Sequence, residues 1–525
     1  MDIAEATCHD YLNYTALAVR PEVRIQTQPQ AINIASPARS FELRNITAGV
    51  RDVLSQLANG PALLRDIRDR LDAAEYGQLG FIARRLGGLL AICVLDGQHK
   101  LVQIEQTGTA SNYALQPLED ASSVRLSEFT FSSRRNDLLV LESPLARHRV
   151  ALADQRTWSL PGQLSVRRSV AEVELGDVAR PIVRGVLGHL AAVGLIDVDA
   201  PGQERFSPDQ ESALRQWEFP DLLLHSRSRL GSYDGPIGGV YPFLNTIDPQ
   251  PAVKPLPPGP QVTLYRPCWS DIQARDPSLT TALEGRESVR RHGLQPITAD
   301  QLGEFLYRAA RLRAKCGPSP DVPYEITSRP WPCGGGAYEL ELYLTIQRCT
   351  DLAAGIYYYD PVAHQLILIN ENATDRQSML QVASAASRGV ADPQVLITVT
   401  SRFQRLSWKY RAIAYSVTLR NVGVLYQTMY LVATAMSLAP CGLGSGNSEL
   451  AGRVLGLENL RESAVGDFIL GSNPLQPEDD RFPEPWKRVN DPDWAHYARQ
   501  QLSAGDLRLG SDTEARRSRG SPKPS

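Results

Sequence analysis

At 525 residues, with 42% hydrophobic and 22% charged residues, the chain has the balance of a soluble globular protein and the length for two to four domains. Its net charge of -3 gives no whole-molecule case for nucleic acid or an anionic membrane surface. The seven cysteines are scattered without a CxxC pair, which speaks against a disulfide framework or a zinc site and fits reduced thiols in the cytoplasm. The first ten residues carry acids and no basic-then-apolar pattern, so no signal peptide is expected. The most apolar run, 422–438, contains Gln427 and Thr434 and is short for a membrane span, so a buried helix is the better reading.

In chain order, helical spacing of Val50, Val53, Leu54 and Leu57 predicts a helix over 46–57, stopped at Gly60. Pro61 opens a second helix with Leu63, Leu64 and Ile67, and a third covers about 76–86. Two apolar runs, 89–95 and 101–105, flank an Asp96-Gly97 turn and predict a β-hairpin. Three helices and a hairpin outline a winged helix over 1–115. A second small winged pattern over 120–248 has strands near 124–131 and 138–141 and a helix over 182–193. Residues 1–110 hold 11 Lys+Arg against 12 Asp+Glu, so the basic face that grips phosphates in DNA binding is missing. A peptide-clamping winged helix is preferred; a purely architectural unit is the alternative.

Six prolines between 249 and 260 predict an extended linker between two halves, because proline fixes φ and removes a donor. The second half, 261–495, starts its chemistry at Arg286-Glu287-Ser288-Val289-Arg290. Alternate positions on an extended segment share a face, and two guanidinium forks with a hydroxyl suit a phosphate. On residue chemistry alone, a solvated surface run is the simpler reading. Thr298 caps a predicted helix with Leu302, Phe305, Leu306 and Ala309 on its apolar face. Three glycines follow Pro332-Cys333, and such a run lets a backbone approach a flat ligand, although most glycine runs are only loops. Strict alternation over 340–347 predicts a half-buried strand. A hairpin follows around Pro361, then a β-branched strand over 395–400.

Lys409-Tyr410 stands out in a chain whose lysines are confined to 100, 254, 315, 409, 487 and 523. A nearby ammonium favours a phenolate and would make Tyr410 a usable general base. A surface lysine beside a packing tyrosine is the simpler reading of the pair taken alone. A long apolar helix over 415–438 ends in a second glycine-rich loop containing Gly442 and Gly444, and 465–471 reads as a short edge-type strand. Residues 496–525 read as a largely disordered tail. No histidine and carboxylate spacing suggests a metal, and no P-loop or strand-to-helix GxGxxG occurs.

Taken in order, these segments resemble the SagB-type flavin dehydrogenases of the nitroreductase superfamily, which include azoline oxidases such as the cyanobactin oxidases. The resemblance rests on five motifs over 217–471. They are Trp217 to Gly231 (WEFPDLLLHSRSRLG), Arg286-x-Ser288-x-Arg290, Arg329-Pro330-x-Pro332-Cys333-Gly334-Gly335, Gly355-Ile356-Tyr357-Tyr358-Tyr359-Asp360 and Trp408-Lys409-Tyr410. The family implies an α+β fold, with an FMN-dependent nitroreductase-like domain preceded here by two small winged-helix, peptide-clamp-like units. It implies a homodimer with FMN at the interface. Arg286, Ser288 and Arg290 then face the FMN phosphate and ribityl chain, Pro332, Cys333, Gly334 and Gly335 border the isoalloxazine ring, and Gly442 and Gly444 join the cofactor site. Lys409 and Tyr410 become the catalytic pair. The winged units resemble leader-recognition modules. Cys333 replaces the family's usual serine, and Asn421 and Val424 stand where relatives often carry acidic and histidine residues.

The implied activity is FMN-dependent oxidation of thiazolines or oxazolines in a heterocyclised precursor peptide, with neither nucleic acid nor membrane as partner. The alternatives are an NAD(P)H-dependent nitro or quinone reductase and a flavin-free peptide-binding scaffold.

Overall fold

The computed structural model describes residues 11–503 apart from 38, 109–112, 114, 200–205, 207–210, 232, 390 and 475–492. The chain divides into two compact units, Met1–Ile237 and Gly238–Ser525.

In the first unit the predicted helices form at Ala48–Leu57, Leu64–Arg70 and Ala73–Leu86. The first buries Val50, Val53, Leu54 and Leu57, the stripe its spacing predicts. The Asp72 carboxylate caps the third by accepting the Glu75 N–H at 2.8 Å. The hairpin Leu90–Asp96 and His99–Gln106 also forms, but not as a wing. It is the middle of a seven-stranded antiparallel sheet ordered Ala62–Leu63, Thr15–Val19, Leu90–Asp96, His99–Gln106, His148–Leu152, Leu138–Glu142, Phe131–Arg135.

The expectation of two winged units meeting near 115–120 is therefore corrected. One core runs through Leu17, Leu54, Ile104, Val150 and Leu190. The reason lies in the hairpin itself, whose strands are buried on both faces, Gln103 and Glu105 included, as a central strand is and an exposed wing is not. The helix Arg180–Ala192 belongs to the same core, and its fully buried His189 Nε2 lies 3.0 Å from Thr15 Oγ1 on the N-terminal strand. Two three-stranded sheets complete the unit, one of them a meander over residues 24–44 whose last strand, Ser40–Arg44, alternates polar and apolar.

The second unit is built on an antiparallel sheet ordered Gln261–Thr263, Gln365–Asn370, Gly355–Asp360, Leu340–Ile346, Val395–Arg402, Glu462–Ser472, Leu438–Leu443. On Leu340–Ile346 the aliphatic residues Leu340, Leu342, Leu344 and Ile346 join one core, shared with Phe305 and Leu306 of the Ala299–Ala310 helix and Leu425 and Met429 of the Ala414–Ala435 helix. Tyr343 joins the other, with the helices Ala373–Ala386 and Ser448–Leu455. The strand is thus buried on both sides, not half-buried. Its polar side is covered as well, with Glu341 1% and Thr345 1% exposed.

Three further expectations change. Glu462–Ser472 is eleven residues long and lies inside the sheet, not at its edge. The second glycine-rich loop is in part the strand Leu438–Leu443, with Gly442 inside it. Within the stretch read as a disordered tail, residues 496–503 continue a helix that starts at 494, and Gln501 accepts from the Thr281 hydroxyl at 2.6 Å. Residues 504–525 lie outside the described residues.

The proline-rich stretch 249–260 is extended, as its composition requires, but it is no free linker. It lies within the second unit, whose boundary falls at Gly238. Ala252 is fully buried, and its N–H bonds Glu325 at 2.8 Å. Arg402 binds the Pro251 carbonyl at 2.9 Å and Arg405 the Gln250 carbonyl at 2.7 Å. Lys254 reaches the buried Glu462 carboxylate, which also accepts from Thr400 at 2.7 Å and Tyr343 at 3.2 Å. Removing one member of such a pair strands the other charge. Lys254→Met is expected to lower the unfolding free energy by about 3 kcal/mol, measured by urea denaturation.

A second expectation concerns Asp467, whose carboxylate accepts from Thr398 at 2.8 Å. Burial pushes this carboxyl up to about 6. The folded state therefore holds the proton more tightly than the unfolded chain, and the stability this contributes at low pH is lost as pH rises from the ordinary 3.8 through about 6. Asp467→Asn should remove that decline, leaving a flatter stability profile across this window in denaturation curves taken at several pH values.

Candidate functional site

The Phe403–Ser407 helix ends the long strand Val395–Arg402 and delivers Trp408, Lys409 and Tyr410 to one place. Tyr410–Arg411 pairs with Gly238–Gly239, and the Tyr241 N–H bonds the Lys409 carbonyl at 3.0 Å. Lys409 Nζ donates to the Tyr324 hydroxyl at 2.6 Å, and that hydroxyl donates to the Gly335 carbonyl. The ammonium also lies 4.9 Å from the Tyr324 ring centre, 5.2 Å from that of Tyr410 and 5.8 Å from that of Tyr241, within cation–π range.

The glycine run meets this pair. Gly335 has φ 64, and a Cβ there would collide with Lys409 Nζ and the Tyr410 hydroxyl. Three non-glycine residues around the pair also carry positive φ: Tyr241 at 49, Tyr338 at 43 and Ala412 at 61. Such conformations cost of order 1–3 kcal/mol each and gather at functional sites. Burial raises the Tyr410 phenol above its ordinary value, and the Lys409 charge works in the opposite direction. Burial likewise raises Tyr324.

Cys333 turns the other way. Its thiol donates to Glu339 Oε2 at 3.4 Å and accepts from Asn421 Nδ2 and the Tyr338 N–H, each at 3.2 Å. Asn421 Nδ2 also donates to Glu339 Oε1 at 2.9 Å. Asn421 thus ties the glycine run to the Ala414–Ala435 helix. Burial, then the Glu339 carboxylate, hold the Cys333 thiol far above the ordinary thiol range. Pro332 itself is exposed.

A second group forms around Tyr430. Ser288 Oγ lies 2.8 Å from the Tyr430 hydroxyl, which accepts the Gly442 N–H at 2.7 Å. The Arg286 guanidinium lies 5.2 Å from the Tyr430 ring centre. The Val289 N–H bonds the Pro440 carbonyl at 2.8 Å, and the Arg290 charge bears on the Cys441 thiol. Gly444 is exposed just beyond the strand. Two cations and two hydroxyls form a donor set that fits a phosphate-bearing cofactor, the Gly442 N–H holding the Tyr430 hydroxyl in place.

The structure therefore gathers the predicted residues into two groups: Cys333, Gly334 and Gly335 with Lys409 and Tyr410, and Arg286, Ser288 and Arg290 with Gly442. It does not join them within one chain. Val417 neighbours Gly334 near the start of the Ala414–Ala435 helix, whereas Tyr430 lies thirteen residues later, about 20 Å along the axis. Tyr324, Tyr241 and Tyr430 were missed from sequence, since single tyrosines in loops or on an apolar helix give no spacing signal. Among the described residues no cluster could hold a metal ion, and no helix is long and apolar enough to cross a membrane.

The thiol environments give a direct check. Cys268 and Cys316 are exposed, whereas Cys333 is held neutral in the Glu339–Asn421 cluster. Brief iodoacetamide treatment of the native protein near pH 8 should label Cys268 and Cys316 and spare Cys333, as read by peptide mass spectrometry.

Two family models match the chain: cyanobactin oxidase ThcOx over residues 124–234 and the nitroreductase family over residues 283–472. A protein of Methanocaldococcus jannaschii described as a nitroreductase is 23% identical over 167 residues, 32% of this chain and 78% of that protein. The trifolitoxin-processing protein TfxB of Rhizobium leguminosarum bv. trifolii is 25% identical over 142 residues, 26% of this chain and 38% of its own length, so the chain spans well under two thirds of it. A crystal structure of a nitroreductase from Anabaena variabilis aligns with a TM-score of 0.35 and 20% identity, covering 53% of each chain. Residues 283–472 thus match the nitroreductase family, and the chain resembles the cyanobactin-oxidase-like, SagB-type flavin dehydrogenases of that superfamily.

Proposed function

We propose that this chain is an FMN-dependent dehydrogenase that oxidises thiazolines or oxazolines of a ribosomal precursor peptide to the aromatic azoles. The observation that carries the reading is the packing of Lys409, Tyr410 and Tyr324 against the Gly334–Gly335 backbone, so close that a side chain at Gly335 would displace the pair. The match of 124–234 to the cyanobactin-oxidase model supports a peptide substrate, and supports a peptide-handling role for the first unit.

Arg286, Ser288, Arg290 and the Gly442–Gly444 backbone would hold the FMN phosphate and ribityl chain, and Pro332, Gly334 and Gly335 would border its ring. When bound, FMN supplies the two-electron acceptor for the hydride that leaves the azoline Cβ. Tyr410 takes the Cα proton on its phenolic oxygen, and the Lys409 ammonium stabilises the phenolate needed for that step. The glycine backbone sets how closely the ring approaches.

The separation of the two residue groups along the Ala414–Ala435 helix supports a homodimer in which each FMN takes its phosphate contacts from one subunit and its ring contacts from the other. Tyr415, 48% exposed, and Leu419, 42% exposed, leave an apolar stretch of this helix for a second copy.

Incubating the FMN-loaded protein with a heterocyclised peptide should remove two hydrogens per ring, a loss of about 2 Da in the mass spectrum. Tyr410→Phe should lower the rate by about 100-fold or more with the flavin spectrum retained. No mass loss on any azoline peptide, together with NAD(P)H oxidation driven by nitro compounds or quinones, would replace this reading with that of a reductase, which the M. jannaschii relative favours.

A further inference from the structure

We propose that Tyr324 is the positioning residue that holds the Lys409 ammonium against the Tyr410 phenol. The inference rests on the reading of Lys409 and Tyr410 as the proton-handling pair, and adds a third member to it.

The argument is one of hydrogen-bond direction. A tyrosine hydroxyl has one proton and two lone pairs, whereas a lysine ammonium has only donors. The Tyr324 proton is committed to the Gly335 carbonyl. Its lone pairs remain, and Lys409 Nζ donates to them at 2.6 Å. The chain therefore runs one way, from ammonium to phenol to backbone, and Tyr324 cannot itself take the substrate proton without breaking its bond to Gly335. It acts through Lys409.

The anchor is rigid at both ends. Gly335 sits at φ 64, where a side chain would be strained and would strike Lys409 and Tyr410. Tyr324 is 2% exposed, with its ring 6.0 Å from that of Trp408 and 6.2 Å from that of Tyr241. Lys409 and Tyr410 are only half-buried; the ammonium also bonds the Tyr410 hydroxyl, and the Tyr324 oxygen is the second acceptor that keeps the four-carbon stem from swinging toward water. The other groups facing the pair are the Cys333 thiol from the glycine run and, toward Tyr324, the Arg405 guanidinium 5.8 Å from its ring centre. Neither bonds Lys409, so neither replaces the anchor.

The test reads Tyr410 ionisation without substrate. Ultraviolet difference titration of each full-length protein against its Tyr410→Phe counterpart isolates the Tyr410 phenolate. Tyr324→Phe is expected to raise the Tyr410 midpoint by about one pH unit. Lys409→Met should raise it equally, and the double variant by no more than either. An unshifted midpoint in Tyr324→Phe, or additive shifts in the double variant, overturns the proposal. Tyr324→His keeps a ring and an acceptor and covers the case in which Tyr324→Phe does not fold. It should leave the midpoint near that of the parent, and a shift as large as that of Lys409→Met counts against positioning. Failure of azoline oxidation leaves the titration result standing, and failure of the titration leaves azoline oxidation standing.

Discussion

The second unit depends on three carboxylates that its sheet takes out of water. Glu339 is fully buried, Glu341 1% exposed and Glu462 7% exposed, the first two in line with the strand Leu340–Ile346. Burial raises the Glu339 and Glu341 carboxyls, and each needs a partner to remain inside the protein. Arg402 pairs with Glu341 at 3.4 Å and Lys254 with Glu462, while the Arg329 charge bears on both Glu339 and Glu341. The partners come from segments far apart in sequence, so satisfying the acids fixes where those segments lie. The proline-rich strap, the glycine run and the start of the Phe403–Ser407 helix converge because the same charges require them.

Arg405 carries this constraint to the site. Its guanidinium binds the Ala337, Gln250 and Glu325 carbonyls, one from each of three loops. Desolvation lowers it to about 10, still well above neutral pH, so the guanidinium keeps its charge where it holds these carbonyls. Four residues further on stands Lys409. The lysine is thus aimed from a rigid base, one turn of helix away from a buried arginine that clamps the loop the lysine faces. The aliphatic side of the same sheet contributes separately, by seating the Ala414–Ala435 helix whose Asn421 holds Cys333.

Periodicity made most local elements legible. The apolar stripe of Ala48–Leu57, the capping Thr298 and the alternation in Leu340–Ile346 all form where their spacing places them. Assembly was less legible, because spacing reports which face is apolar and not what covers the other. The alternation of Glu341, Tyr343 and Thr345 reads as a wet face, and only the structure supplies the helices and the strap that cover it. The hairpin of 90–106 reads as a wing until Thr15–Val19 and His148–Leu152 flank it. At the site, Lys409-Tyr410 and the glycine run were visible through composition, since lysine is rare and three glycines are rarer. Tyr324 was not, because a lone tyrosine between Pro323 and Glu325 looks the same whether it packs or positions.

The docking of the strap changes what counts as a separable piece of this chain. A fragment beginning at 261, where composition alone would cut, loses the partner of Glu462, the Pro251 carbonyl that Arg402 binds and the Gly238–Gly239 strand beside Tyr410–Arg411. A fragment beginning at 238 keeps all three. Recombination of this second unit with other N-terminal modules, in nature or in the laboratory, is therefore restricted to joints upstream of Gly238, and the prolines travel with the unit they lead into.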